Sequence, residues 1–233
     1  MRPFLIAIAA AFTLSAPAPA QVGHDPSGSP YRTLRYGQFM GLTAGYFSGK
    51  GGAIGVAPHD GAVTGFRYDF LGAGTLTVGL AASYGRLERF IVDAFKPLET
   101  GRTGPVSQSV VLTEAIFQFN LTGGKTWHGV APYVGSGIGL AIISKTSADT
   151  SGFRFRTKAL LTPSIGARIF LSERLFLRVE ARSAFWQISY PDIYRQPPVT
   201  DPTKLPAIRG GAKEWVTNGW FQAGLSYAFH RPF

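Results

Sequence analysis

The sequence predicts an all-β fold: an eight-stranded antiparallel up-and-down transmembrane β-barrel with short periplasmic turns and long outer loops. Three observations carry this expectation. Apolar residues recur at every second position in eight separate stretches, the period of a sheet with one apolar face. The 233 residues include 29 glycines and 13% aromatics but only 15% charged residues, so apolar surface is plentiful and charge scarce. The connections between the eight stretches alternate short and long, as they do in chains that cross a bilayer with strands.

Composition removes the competing classes. A chain that is 45% hydrophobic with 18 Phe carries too much apolar surface to stay disordered. The absence of cysteine excludes a disulfide scaffold and a Cys-ligated metal site. Beyond residue 20 no run approaches the roughly 18 to 20 apolar residues that a spanning helix needs. The length suits one large all-β domain.

Residues 1–20 read as a signal peptide. Arg2 forms a short positive region, an apolar stretch runs from Phe4 to Leu14, and Ala18 and Ala20 flank Pro19 in the small-x-small pattern of a cleavage site. Cleavage after Ala20 is expected, with Gln21 first in the mature chain and no Cys behind it to accept a lipid. Loss of Arg2 lowers the formal charge from +10 to +9. Residues 21–37, polar and rich in Gly, Pro and Ser, are expected to form a flexible N-terminal tether. The barrel domain is then residues 38–233.

The strands follow in order. Met40, Leu42, Ala44 and Tyr46 alternate with Gly41, Thr43 and Gly45 in the first. Phe66, Tyr68 and Phe70 oppose Gly65, Arg67 and Asp69 in the second. The third is the clearest, with Leu76, Val78, Leu80, Ala82 and Tyr84 against Thr75, Thr77, Gly79, Ala81, Ser83 and Gly85. Val111, Ala115, Phe117, Phe119 and Leu121 oppose Glu114, Gln118 and Asn120 in the fourth, and Val134, Ile138, Leu140 and Ile142 alternate with Gly135, Gly137 and Gly139 in the fifth. The sixth sets Ile165, Ala167 and Ile169 against Ser164, Gly166 and Arg168. The seventh sets Leu175, Leu177, Val179 and Ala181 against Arg178, Glu180 and Arg182. The eighth sets Phe221, Ala223, Leu225, Tyr227 and Phe229 against Gln222, Gly224 and Ser226.

The choice of outward face decides the solvent. The polar face is mostly Gly, Ser and Thr, a poor coat against water but suited to the cramped lumen of an eight-stranded barrel. The apolar face carries aromatics near strand ends (Tyr46, Phe70, Tyr84, Phe229), as girdles at two lipid interfaces do. The joins at residues 71–74, 122–129 and 171–174 are short. Those at 48–61, 86–108, 144–156 and 190–214 are long, so the two kinds alternate.

From residue 38 to 233 the chain resembles the small outer-membrane β-barrel proteins of Gram-negative bacteria that share their eight-stranded barrel with the OmpA transmembrane domain and OmpX. The resemblance rests on the hairpin from Thr162 through Leu171-Ser172-Glu173-Arg174 to Arg182, on the glycine-spaced strand from Tyr133 to Gly139, and on the terminal Phe233. Arg231 departs from the terminal aromatic pattern, which Tyr227 and Phe229 fit better. The resemblance implies a monomer in the cell outer membrane, in contact with outer-membrane lipid and lipopolysaccharide, and inserted by the barrel assembly machinery.

The polar face gives a candidate lumen charge network: Arg67, Asp69, Glu114, Arg168, Arg178, Glu180 and Arg182. Counted up from the short turns, Glu114 and Arg182 both lie about eight positions in, and Arg67 and Arg178 about four, so at roughly 3.3 Å per residue each pair shares a level. Buried charges of this kind are expected to pair and fill the lumen. The alternatives are a narrow pore and a lipid A-modifying enzyme of the deacylase or acyltransferase kind. Catalysis is not expected, because none of His24, His59, His128 and His230 lies on a strand beside a Ser in the arrangement that the lipid A deacylases use. His59, beside Asp60, reads as a solvated loop residue. No metal-ligand spacing and no phosphate-cradling loop occurs, so no cofactor is expected. Nucleic acid is not an expected partner of an exported barrel. The third long join and its flanks hold Lys145, Arg154, Arg156 and Lys158 against Asp149 alone, and basic side chains at the cell surface are drawn to lipopolysaccharide phosphates. The fourth long join, with five prolines, is stiffened. The expected role is structural or surface-interactive.

Overall fold

The computed structural model describes residues 28–72, 74–144, 149, 151 and 153–229. The compact unit that holds the barrel begins at Tyr31. It contains ten strands: β1 (Tyr31–Thr33), β2 (Gln38–Gly49), β3 (Gly61–Leu71), β4 (Leu76–Val92), β5 (Arg102–Asn120), β6 (Lys125–Trp127), β7 (Val130–Ile143), β8 (Lys158–Phe170), β9 (Leu175–Ser189) and β10 (Lys213–Phe229). Eight of them, all but the three-residue β1 and β6, form a closed antiparallel barrel. Each pairs with its neighbour in the chain, and β10 returns to β2 through a register from Asn218↔Gly49 to Phe229↔Gln38.

The pleat sorts the composition as a period of two requires. On β4, Thr77, Ser83 and Leu87 are buried inside while Leu80 and Tyr84 stand exposed on the outer wall. The same alternation exposes Leu42, Phe66, Phe117, Ile138, Ile165, Phe221 and Leu225 around the circumference. Water-soluble monomers rarely leave apolar patches of more than a few hundred Å² exposed, so this wall is built to face hydrocarbon. Its upper limit is visible on β4, where the exposed outward residues change from Tyr84 to Arg86 and Glu88.

Three features differ from the sequence reading. The second long join is mostly strand: β4 runs on to Val92 and β5 begins at Arg102, leaving residues 93–101. Outside the lipid the outward face of a strand becomes polar, so Arg86, Glu88, Ser107 and Ser109 hid the continuation. The alternation of loop lengths is correspondingly weaker, since residues 121–129 between β5 and β7 are as many as residues 93–101. Part of the expected tether is ordered structure. β1 pairs with β6 through Tyr31↔Trp127 and Thr33↔Lys125, and the Leu34 amide donates to the Gly124 carbonyl at 2.9 Å. A three-residue strand owes its existence to its partner, which local composition cannot reveal.

The third difference is the interior. Its charged network lies at mid-height, between two largely apolar ends. At the short-turn end Leu34, Phe39, Leu71, Phe176 and Ala228 form an apolar cluster. At the long-loop end a larger cluster joins wall residues Phe47, Leu87, Trp186 and Trp220 to loop residues Val56, Phe153, Phe155, Tyr194 and Ile208. Phe47 lies between the two indoles, 4.9 Å from Trp220 and 6.1 Å from Trp186 between ring centres. The loops therefore fold into the barrel mouth, where burial of aromatic and aliphatic area holds them.

Candidate functional site

The mid-height layer is built from inward positions on four strands. Arg67 and Asp69 come from β3, Glu114, Gln118 and Asn120 from β5, Arg168 from β8, and Arg178, Glu180 and Arg182 from β9, all buried. Spacing by two along each strand keeps them on one face.

Two clusters result. In the first, Arg67 Nε donates to Asp69 Oδ1 at 2.7 Å and its Nη1 donates to Glu180 Oε2 at 3.3 Å. Arg178 binds the other oxygen of Asp69, and Gln222 Nε2 donates to Glu180 Oε2 at 2.7 Å. Arg67 and Arg178, placed at one level by counting, thus share a carboxylate. In the second cluster Arg182 Nη2 donates to Glu114 Oε1 and to Thr162 Oγ1, both at 2.6 Å, and the Thr162 hydroxyl donates to the same Glu114 oxygen. The Arg182 guanidinium lies over the Trp220 ring, 4.3 Å from its centre, where the ionic layer meets the aromatic one. Gly137 makes room for this cluster: a Cβ there would lie 2.5 Å from Thr162 Oγ1 and 2.6 Å from Glu114 Oε1.

Arg168 differs from the other three arginines. Its Nη1 donates to Asn120 Oδ1 at 3.0 Å, and its Nη2 donates to Gln118 Oε1 at 3.0 Å and Thr77 Oγ1 at 3.2 Å. The rings of Phe39 and Tyr133 flank it at 5.3 and 5.2 Å. Thr77, Tyr133, Thr162 and Gln222 were not among the charges singled out from the sequence, yet each occupies an inward position on its strand. Their membership of the polar face was the available signal.

At the barrel mouth a second set of polar contacts ties loops to wall. Arg89, inward on β4, pairs with Asp149 of the β7–β8 loop. Burial works to raise the Asp149 carboxyl, but hydrogen bonds from Ser151 and from Arg89 outweigh it and hold the group below the usual carboxylate range. Tyr194 donates its hydroxyl to the Val92 carbonyl at 2.8 Å. Tyr190 donates to Glu214, which also accepts the Ala53 amide at 3.0 Å. Burial first, then the neighbouring Glu214, pushes the Tyr190 phenol well above its ordinary range.

The expected lipopolysaccharide contacts lie on this loop. Burial alternates over residues 153–156, with Phe153 and Phe155 buried in the mouth and Arg154 and Arg156 exposed. Lys158, at the start of β8, is half-buried with its ammonium 5.9 Å from the Phe155 ring centre. Lys145 lies outside the described residues. So do the signal peptide, His24, His230 and the terminal Phe233.

His59 is buried, not solvated as its sequence setting suggested. Its Nδ1 is 3.0 Å from the Ala57 carbonyl oxygen, its ring stacks on Phe90 at 5.7 Å, and its Nε2 lies 4.0 Å from Asp60. The inward fold of the first long loop accounts for this. His128 sits in the short β6–β7 turn with its ring edge-on to Trp127. Among the described residues no three His, Asp or Glu side chains converge on a metal-sized site.

No protein-family model matches the chain, and no curated protein matches it. Solved structures do. The outer membrane protein OprG of Pseudomonas aeruginosa aligns over 85% of this chain and 99% of its own, with a TM-score of 0.51 at 15% identity. Neisserial surface protein A aligns over 86% of this chain and 98% of its own, with a TM-score of 0.49 at 14% identity. The likeness to OprG carries the fold, a closed eight-stranded barrel of the outer-membrane type.

Proposed function

We propose that this chain is an integral outer-membrane β-barrel with a structural or surface-interaction role, whose filled lumen conducts no solute and whose basic third long loop rests on lipopolysaccharide. The apolar outer wall, the likeness to outer-membrane barrels and the signal-like residues 1–20 support the location. The barrel assembly machinery would insert it, with the short turns toward the periplasm and the long loops outside, and it would act as a monomer.

The observation that carries the surface role is the alternation at residues 153–156. Phe153 and Phe155 anchor the segment in the mouth, so Arg154 and Arg156 are held outward and do not sweep through solution. Fixed cations near the headgroup level gain from an anionic surface at little further cost in ordering. A lipid A-modifying activity finds less support, because the one histidine of the long loops, His59, is buried against Ala57 and Phe90.

The test is co-sedimentation of the refolded barrel with lipopolysaccharide. Replacing Arg154, Arg156 and Lys158 together by Gln should weaken association severalfold and flatten its salt dependence. Unchanged association would sink the loop contact, and steady single-channel conductance by the native chain in planar bilayers would sink the closed lumen.

A further inference from the structure

The charges in the mid-height layer do not balance. Four guanidinium groups, Arg67, Arg168, Arg178 and Arg182, face three carboxylates, Asp69, Glu114 and Glu180, and all seven are at most 5% exposed. Each carboxylate is engaged by at least one of Arg67, Arg178 and Arg182. Arg168 is the remainder: it is fully buried, and no carboxylate among the described residues lies within ion-pair distance of it. A buried charge without a counter-charge is costly, and a protein would ordinarily pair it or lose it.

The surroundings deepen the imbalance. Arg168 and Arg178 are direct cross-strand partners between β8 and β9, a like-charge pairing that destabilises a sheet. Both donate to one neutral acceptor, Gln118 Oε1, at 3.0 Å from Arg168 and 3.4 Å from Arg178. Both also flank one ring, that of Tyr133, with guanidinium carbons 5.2 and 5.8 Å from its centre. Three donors of this group are buried with no hydrogen-bond partner among the described residues: Arg168 Nε, Arg178 Nε and the Tyr133 hydroxyl. Tyr133 is wholly buried, opposite Gly166 on β8, where any Cβ would lie 2.6 Å from its hydroxyl oxygen.

The geometry points to a small-anion site inside the barrel, at the Arg168, Arg178 and Tyr133 group, occupied by a monovalent ion of the halide kind. One negative charge equals the excess of arginines over carboxylates in this layer, and the three N–H and O–H donors left without a partner come from three neighbouring strands, β7, β8 and β9. The site is structural: it neutralises Arg168 and lets the layer close.

The test uses the full barrel refolded in detergent micelles, with chloride exchanged for gluconate at constant ionic strength. Chloride should raise the unfolding midpoint by about 2–4 °C, the response expected for ligand at several times its dissociation constant. Bromide should give one ordered anomalous peak beside Arg168 in crystals. Arg168→Met should abolish both the chloride response and the peak. If that variant does not fold, Tyr133→Phe serves instead and should weaken the chloride response severalfold. A wild-type midpoint indifferent to chloride, a response retained in Arg168→Met, or one unchanged in Tyr133→Phe would overturn the proposal.

Discussion

Glu114 and Arg182, 68 positions apart in the chain, meet inside the barrel at 2.6 Å, with Thr162 bonded to both. Neither has access to water, so removal of one strands the charge of the other. Glu114→Ala should cost about 3–5 kcal/mol of stability, the range for breaking a buried pair on one side. Replacing Arg182 by Met in the same chain should recover much of that loss. A double-mutant cycle from urea unfolding in micelles checks this, and equal midpoints for the single and double variants would count against coupling.

Gly137 bounds the same cluster. Its substitution by Val should separate Glu114 from Arg182 and slow barrel closure, because even the first added carbon would lie 2.5 Å from Thr162 Oγ1. Heat-modifiable gel mobility after refolding reports the closed fraction. Gly219, whose added Cβ would meet only the Ser48 carbonyl at 3.7 Å, should accept Ala without loss.

The Arg89 to Asp149 contact gives the β7–β8 loop a pH dependence. Because the Asp149 carboxyl is held below its usual range in the fold, its contribution is complete above the ordinary carboxylate pKa and is lost as pH falls through the lowered value. Hydrogen exchange at residues 153–157 should therefore stay protected at neutral pH, after correction for intrinsic rates, and rise in strongly acidic buffer. Asp149→Asn should show the raised exchange at every pH.

Trp186 stacks near Phe47 and meets the Phe155 ring edge-on at 5.6 Å, joining wall to loop. Trp186→Ala should cost about 3–5 kcal/mol, as large-to-small changes in a packed core do. Loss of protection should appear first at residues 153–156, a pattern that proteolysis at Arg154 and Arg156 would report.

The sequence made the lower half of the barrel legible and the upper half much less so. The turn at residues 171–174 lies where expected, because below it and above it lipid-facing residues keep the alternation sharp. Within the lipid, one face must be apolar, so position alone identifies Leu80 or Arg178. Above Tyr84 both sides of the wall change character: Arg86 and Glu88 meet water, while Leu87 and Ile91 meet the folded loops. The pattern inverts without a break in the strand. Trp186 and Trp220 lie beyond the alternation legible at 175–182 and 221–229, where the inward face turns from polar to aromatic. The level of Glu114 and Arg182 could be counted, but the unmatched Arg168 could not, because partner choice depends on register and on neutral groups such as Gln118.

In this barrel every long ladder joins strands that follow one another in the chain, apart from the small β6 excursion, with one exception: β10 against β2. That seam unites the first and last spanning strands, so its loop-closure entropy is the largest in the molecule and no other ladder can substitute for it. Until residues 213–229 arrive, the growing meander has two bare edges, one of them the apolar-faced β2, in the state most prone to pair with another chain. A chain stopped before Lys213 would therefore aggregate where the complete chain closes, and the last seventeen-residue strand acts as the latch of the whole assembly.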